Sequence, residues 1–148
     1  MAHLREAGLD KVLPSLTQPV LGICIGQQLM CAHSEEGDVD CLDIFPLNVK
    51  KFQSRNEYDE RFKVPHIGWN KITEMQGPLF KGVDPEHAYV YYVHSFFCEL
   101  NFEYTIAKTG YVNVYSAALH KDNFYAVQFH PEKSGAVGAQ ILENFINL

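Results

Sequence analysis

The chain has 148 residues, 47% of them hydrophobic and 20% charged, and its twelve Lys and Arg against eighteen Asp and Glu leave a net charge of -6. This is about one domain's worth of sequence, with apolar residues enough for one sizeable core and no linker, repeat or low-complexity tract, so residues 1–148 are expected to form a single unit. The basic residues are scattered and do not form a stripe, which excludes nucleic acid as an expected partner. The opening MAHLREAGLD and the rest of the chain lack a signal-peptide or membrane-spanning apolar run, which makes a cytoplasmic location the default and a membrane unexpected.

In chain order, Leu4, Leu9, Val12, Leu13 and Leu16 recur at helical spacing, with Gly8 as a break and Pro14 near the end, predicting one broken helix over residues 3–16. Val20 to Cys24 is a short apolar run suited to a strand buried on both faces, which points to a parallel sheet. From Gly26 the good helix formers predict a helix running on through His33. Leu42 to Phe52 and Tyr89 to Leu100 read as strands, and the polar segment Gln53 to Lys63 reads as an exposed loop or hairpin tip. Asn113 to Leu119 and Phe124 to Phe129 read as strands flanking a hairpin turn at Lys121-Asp122-Asn123. Val137, Ile141, Leu142, Phe145 and Leu148 share one face of a carboxyl-terminal helix.

Gly22-Ile23-Cys24-Ile25-Gly26 has the layout of a nucleophile elbow, in which small flanking residues allow a sharp strand-to-helix turn. The helix dipole at that position favours a thiolate at Cys24, and the Ile25 N–H is free to face an oxyanion. Downstream, the Phe124 to Phe129 strand delivers His130 at its end, where catalytic groups of α/β sheets gather, and Glu132 is near enough to orient the ring. Each residue also has a bland reading: Cys24 as a buried structural cysteine, His130 as a satisfied core histidine, Glu132 as a helix amino-terminal charge. Their joint occurrence favours thiol catalysis. Cys24, Cys31, His33 and Cys41 can also be drawn as zinc ligands, but no tight Cys-x-x-Cys pair exists, and all four cysteines (with Cys98) are read as thiols.

Gly22 to Gln28 (GICIGQQ) resembles the nucleophile motif of class I glutamine amidotransferases, and Gln128 to Glu132 (QFHPE) resembles their histidine–glutamate motif, in the right order. Pro65 to Asn70 (PHIGWN) and QFHPEKS are similar to the branch that forms the glutaminase subunit of imidazole glycerol phosphate synthase in histidine biosynthesis. The resemblance implies an α/β fold, an open, mostly parallel, flavodoxin-like sheet with flanking helices, and a Cys24–His130–Glu132 triad that hydrolyses glutamine through a γ-glutamyl thioester. It assigns Gln28, Ile25 and, from His94-Ser95-Phe96, a second segment to glutamine binding. Pro65, His66, Trp69 and Asn70 are assigned to an interface with a (β/α)-barrel cyclase subunit that receives the ammonia. A turn with Trp69 packed as core is the bland alternative for that segment. No cofactor or metal is implied.

The resemblance also implies an amino-terminal portion that this chain does not match, including the first strands of the sheet and a glycine-rich oxyanion segment. An amino-terminally truncated domain with an exposed strand edge is therefore expected, weakly active or inactive unless another chain supplies that part. Two rivals remain at this stage: an inactive fragment or cyclase-docking module, and another cysteine hydrolase such as a γ-glutamyl peptidase.

Overall fold

The amino-terminal leucines do form a broken helix. In the computed structural model, which describes residues 1–148, α1 (Ala2–Glu6) and α2 (Leu9–Val12) are separated by Gly8 at φ 68°, and a 3-10 turn, Leu13–Ser15, follows. A left-handed φ is open to glycine at little cost, which is why the break falls there.

Next come β1 (Val20–Ile23), α3 (Ile25–Met30), β2 (Cys31–Ser34), β3 (Val39–Asp40) and β4 (Phe45–Lys51). Then follow β5 (His66–Lys71), β6 (Tyr89–His94), β7 (Phe96–Cys98), β8 (Thr105–Gly110), β9 (Val114–Lys121), β10 (Phe124–Val127) and α4 (Gly135–Ile146). They form two four-stranded sheets, in the orders β1-β10-β9-β8 and β3-β2-β4-β7, and a β5-β6 ribbon.

The α/β class agrees with expectation, while the parallel character is confined to the β1–β10 and β2–β4 ladders. The remaining ladders are antiparallel, because the β8-β9-β10 meander and the β5–β6 ribbon join strands that return on themselves. Strand β1 pairs on one side only, with β10, so it is an edge strand. No helix is long and apolar enough to cross a membrane.

Several elements differ from the sequence expectation, among them the helix α4, which ends at Ile146 and leaves Leu148 outside it. The helix opening at the elbow stops at Met30, since Cys31 to Ser34 are taken up by pairing with β3 and β4 and Cys31 is fully buried. The Tyr89 to Leu100 strand is broken at Ser95 into β6 and β7, which join different sheets. Strand β8 was hidden in the sequence because its Lys108, Thr109 and Gly110 dilute the apolar alternation.

Two apolar clusters hold the unit. The larger packs Tyr92, Tyr115, Phe129 and Ile141 between the β8–β10 meander, the β5–β6 ribbon and α4; the smaller packs Phe45, Val49, Leu119 and Phe124 between the two four-stranded sheets. A fully buried Tyr, Phe or Leu contributes about 1.5–3 kcal/mol relative to exposure, so these clusters fix the strand ends that carry the chemistry.

Candidate active site

Ile23 is registered against Val127 across the parallel β1–β10 ladder, so the chain leaves both strands at the same sheet end. Cys24 follows β1 directly and its N–H is held by the Val127 carbonyl at 2.8 Å; His130 lies three residues beyond β10 and its N–H is held by the Tyr91 carbonyl at 2.9 Å. Both candidate catalytic side chains are thus delivered by neighbouring carboxyl ends of parallel strands, where ligands of open α/β sheets bind.

Cys24 has φ 50° and ψ -104°, a conformation costly for a residue with a Cβ, and strain of this kind concentrates at functional turns. The sharp turn depends on Gly22: a Cβ there would lie 2.8 Å from the Gly26 carbonyl carbon and 2.9 Å from the Met30 sulfur. A Cβ on Gly26 would meet nothing within 4 Å, so only the first glycine of the elbow is required by packing within this chain.

The thiol does not behave as helix position alone suggests. Burial raises its pKa above the usual value, against the lowering effect of the Ile25 N–H and of the Gln128 amide; Glu132 and Glu36 add to the rise. Removing the thiol from water outweighs the field of a helix only six residues long. Cys24 is therefore held as a thiol at neutral pH until a base takes its proton.

His130 has the orientation that a base needs. Its Nδ1 donates to Glu132 Oε1 at 2.6 Å, which leaves Nε2 as the acceptor nitrogen. The 3-10 turn Pro131–Lys133 brings Glu132 back under the ring, and buried Ser134 locks it: the Ser134 hydroxyl donates to the His130 carbonyl at 2.6 Å and accepts from the Tyr91 N–H at 2.9 Å. Gly138 of α4 permits the turn to sit close, since a Cβ there would stand 1.9 Å from the Pro131 oxygen. In this resting geometry Cys24 and His130 share no hydrogen bond; the thiol's side-chain partner is Gln128 Nε2 at 3.6 Å.

A cavity of about 300 Å³ opens beside the sulfur, walled by Cys24, Ile25, Gln28, Glu36, Ser95 and Phe96. Pro65, Val93 and His94 complete it. Gln28 is nearly buried, with its amide nitrogen donating to the Phe96 carbonyl at 2.9 Å and to Gln128 Oε1 at 3.1 Å. All three residues of the predicted second segment line this space, His94 while nearly buried. His94 is a core group, donating from Nδ1 to the Phe96 carbonyl at 2.7 Å, with Nε2 at 3.2 Å from the Tyr115 hydroxyl. Burial pushes its pKa down to about 3, so it is neutral.

The predicted interface residues separate by strand alternation. In β5, Trp69 is 57% exposed and Ile67 60% exposed, which rules out Trp69 as core, and Pro65 is exposed just before the strand. His66 points inward, 3% exposed and stacked on Tyr111 at 3.9 Å between ring centres, with its pKa pushed down to about 4 by burial. Asn70 donates to the Gly110 carbonyl at 2.9 Å. Gly68 lies within the strand, opposite Tyr92, and not at a bend.

Sequence reasoning missed Glu36, Gln128 and Gly138. Gln128 sat in view inside the QFHPE motif, as a polar residue in an otherwise apolar strand; Glu36 and Gly138 carried no local signal. Cys31 Sγ rests 3.3 Å from Cys98 Sγ, both fully buried, and no group of three or more His, Cys, Asp or Glu side chains converges anywhere as a metal site.

The profile of the glutamine amidotransferase class I family matches residues 6–148. The chain is 53% identical over its full length to the imidazole glycerol phosphate synthase subunit HisH of Bacteroides thetaiotaomicron and spans 73% of that protein. It is 44% identical to the HisH subunit of Photorhabdus laumondii, spanning 74% of it. A solved glutamine amidotransferase from Thermotoga maritima superposes with a TM-score of 0.57 over 97% of this chain and 53% of that one, at 16% identity, which speaks to fold alone. The chain belongs to the class I glutamine amidotransferase family.

Proposed function

We propose that the chain hydrolyses glutamine at Cys24 and passes the ammonia to a (β/α)-barrel cyclase subunit that forms imidazole glycerol phosphate. The observation that carries this is the His130–Glu132 pair at 2.6 Å on the strand end adjoining the Cys24 elbow, with a cavity of about 300 Å³, room enough for an amino acid, beside the sulfur. The relatives named imidazole glycerol phosphate synthase subunit support this choice of partner.

Glutamine enters with its carboxamide toward the sulfur. The exposed Glu36 carboxylate complements its ammonium group, and Gln28 and the Ser95–Phe96 wall hold the rest. His130 Nε2 takes the Cys24 proton, the sulfur attacks the amide carbon, and the Ile25 N–H faces the developing oxyanion. The tetrahedral species collapses as the imidazolium protonates the departing nitrogen, releasing ammonia and leaving a γ-glutamyl thioester. His130 then deprotonates water, which adds to the thioester; Cys24 leaves with the proton and glutamate is freed. Because burial raises the thiol pKa and Cys24 and His130 share no hydrogen bond, the ring and the sulfur must approach before the first proton transfer.

Exposed Ile67, Trp69, Tyr89 and Val93 make an apolar face on the β5–β6 ribbon, next to Pro65 at the cavity wall. This face suits the cyclase interface, since aromatic and aliphatic anchors carry most interface energy. The test is labelling with a diazo-keto glutamine analogue, with and without the cyclase subunit, read by mass spectrometry. Adduct confined to Cys24, abolished by Cys24→Ser, is expected; a folded chain that takes no label in either condition would overturn the reading.

A further inference from the structure

We propose that Gln128 is a positioning residue of this site: one buried carboxamide holds the Cys24 sulfur with its nitrogen and orients the Gln28 side chain with its oxygen. Gln128 is fully buried one residue beyond β10. Its Nε2 donates to Cys24 Sγ at 3.6 Å, an ordinary length for a sulfur acceptor, and its Oε1 accepts from Gln28 Nε2 at 3.1 Å. The backbone fixes it as well, with the Gln128 N–H on the Ala117 carbonyl at 2.9 Å. Strand β10 therefore supplies the thiol's hydrogen-bond donor as well as, two residues on, the base.

Two consequences follow from the donor and acceptor inventory of an amide. A donor aimed at sulfur favours thiolate over thiol, so Gln128 opposes the burial that keeps Cys24 protonated. On its other side, the Gln128 oxygen together with the Phe96 carbonyl occupies the Gln28 nitrogen. What Gln28 can present to a ligand is then its carbonyl oxygen, an acceptor suited to the ammonium or amide N–H of an amino acid. This second consequence rests on the proposed glutaminase reading; the first does not.

The discriminating readout is the pH dependence of Cys24 alkylation by iodoacetamide, which needs neither glutamine nor turnover. The charged groups acting on the sulfur are Glu132 from the turn after β10 and Glu36 from the β2–β3 connection, and His94 from β6 is the titratable group that lines the same cavity. All are retained in the variants, so a moved midpoint reports Gln128. Gln128→Met, apolar and of similar volume, is expected to raise the midpoint by about one pH unit, making alkylation near neutral pH about tenfold slower. Gln128→Glu, which keeps the volume but places a carboxylate against the sulfur, is expected to raise it further. Gln28→Met should leave the midpoint in place. For turnover, Gln128→Met should lower kcat and raise KM together, whereas Gln28→Met should act mainly on KM.

An unchanged alkylation midpoint in folded Gln128→Met or Gln128→Glu protein overturns the proposal. If both variants fail to fold, the unsubstituted protein decides: the Gln128 side-chain amide NMR signals are expected to titrate with the Cys24 midpoint, and signals that do not move overturn it. Failure of the glutamine analogue to label, with the midpoint shift present, would reject the glutaminase reading while leaving the role of Gln128 standing.

Discussion

Adding one methyl group to α4 tests whether the catalytic turn depends on backbone contact. In Gly138→Ala the new Cβ would stand 1.9 Å from the Pro131 oxygen and 2.8 Å from both the Pro131 carbonyl carbon and the Ser134 Cβ. Ordinary contact begins at 3.4 Å, so α4 and the turn must separate by about 1.5 Å, and the opposing atom is backbone that cannot swing aside. Overpacking a close-packed site typically costs 1–3 kcal/mol. A backbone obstacle puts this case near the top, about 3 kcal/mol, or roughly 10 °C in Tm for a chain of this size. The Pro131 carbonyl lies between His130 and Glu132, so the shift also disturbs the Nδ1–Oε1 contact and the Ser134 lock on the His130 carbonyl. Misplacing a catalytic group by about 1 Å costs on the order of a hundredfold, and that loss should appear in the rate of Cys24 labelling by the glutamine analogue. Thermal unfolding with labelling kinetics makes the measurement. A Tm loss under about 2 °C with labelling within twofold of the parent would refute the reasoning.

The two elbow glycines should give opposite signs. Gly22→Ala drives a Cβ into Gly26 backbone and should destabilise by about 1–3 kcal/mol, while Gly26→Ala meets open space inside α3 and should gain roughly 0.5–1 kcal/mol; urea midpoints decide both. Glu132→Gln removes the charge that steadies the His130 imidazolium without burying a new group, so kcat for glutamine hydrolysis should fall about 10²–10⁴-fold with Tm nearly unchanged. Trp69→Ala should change stability by less than about 0.5 kcal/mol, its side chain being exposed, yet weaken binding to the cyclase subunit by about 2 kcal/mol in a calorimetric titration. The buried histidines set an acid limit. An unfolded histidine takes a proton below about pH 6.5, whereas His66 waits until about 4 and His94 until about 3. Between those values the unfolded chain binds more protons, so stability is full above about pH 6.5 and falls on acidification, by up to about 1.4 kcal/mol per pH unit for each histidine; a flat stability profile from about pH 7 to 5 would contradict it.

What the sequence disclosed was local, and what it withheld was contact between distant segments. Gly8, the Cys24 elbow, the turn at Asp122 and the Val137, Ile141 and Phe145 face of α4 are each specified by neighbours within a few residues and stand where the sequence put them, whereas Leu148 falls beyond the end of the helix and is exposed. The extension of α3 through His33 went astray because propensity is blind to β4 and β3, which take Cys31 to Ser34 into a sheet. Trp69 shows the reverse case: alternation along β5 turns Trp69 and Ile67 outward and His66 inward, which removes the alternative of a turn with Trp69 as core and takes His66 out of the set of surface residues. Within the candidate site, the residue types and order of Cys24, His130 and Glu132 were legible. The balance of forces on the thiol was not, because burial is a property of the whole fold and it overrides the helix field that a local reading sees. Gln128 belongs to the same lesson. Two amides a hundred positions apart are written into separate motifs, and the parallel pairing of β1 with β10 makes them one hydrogen-bonded device around a sulfur.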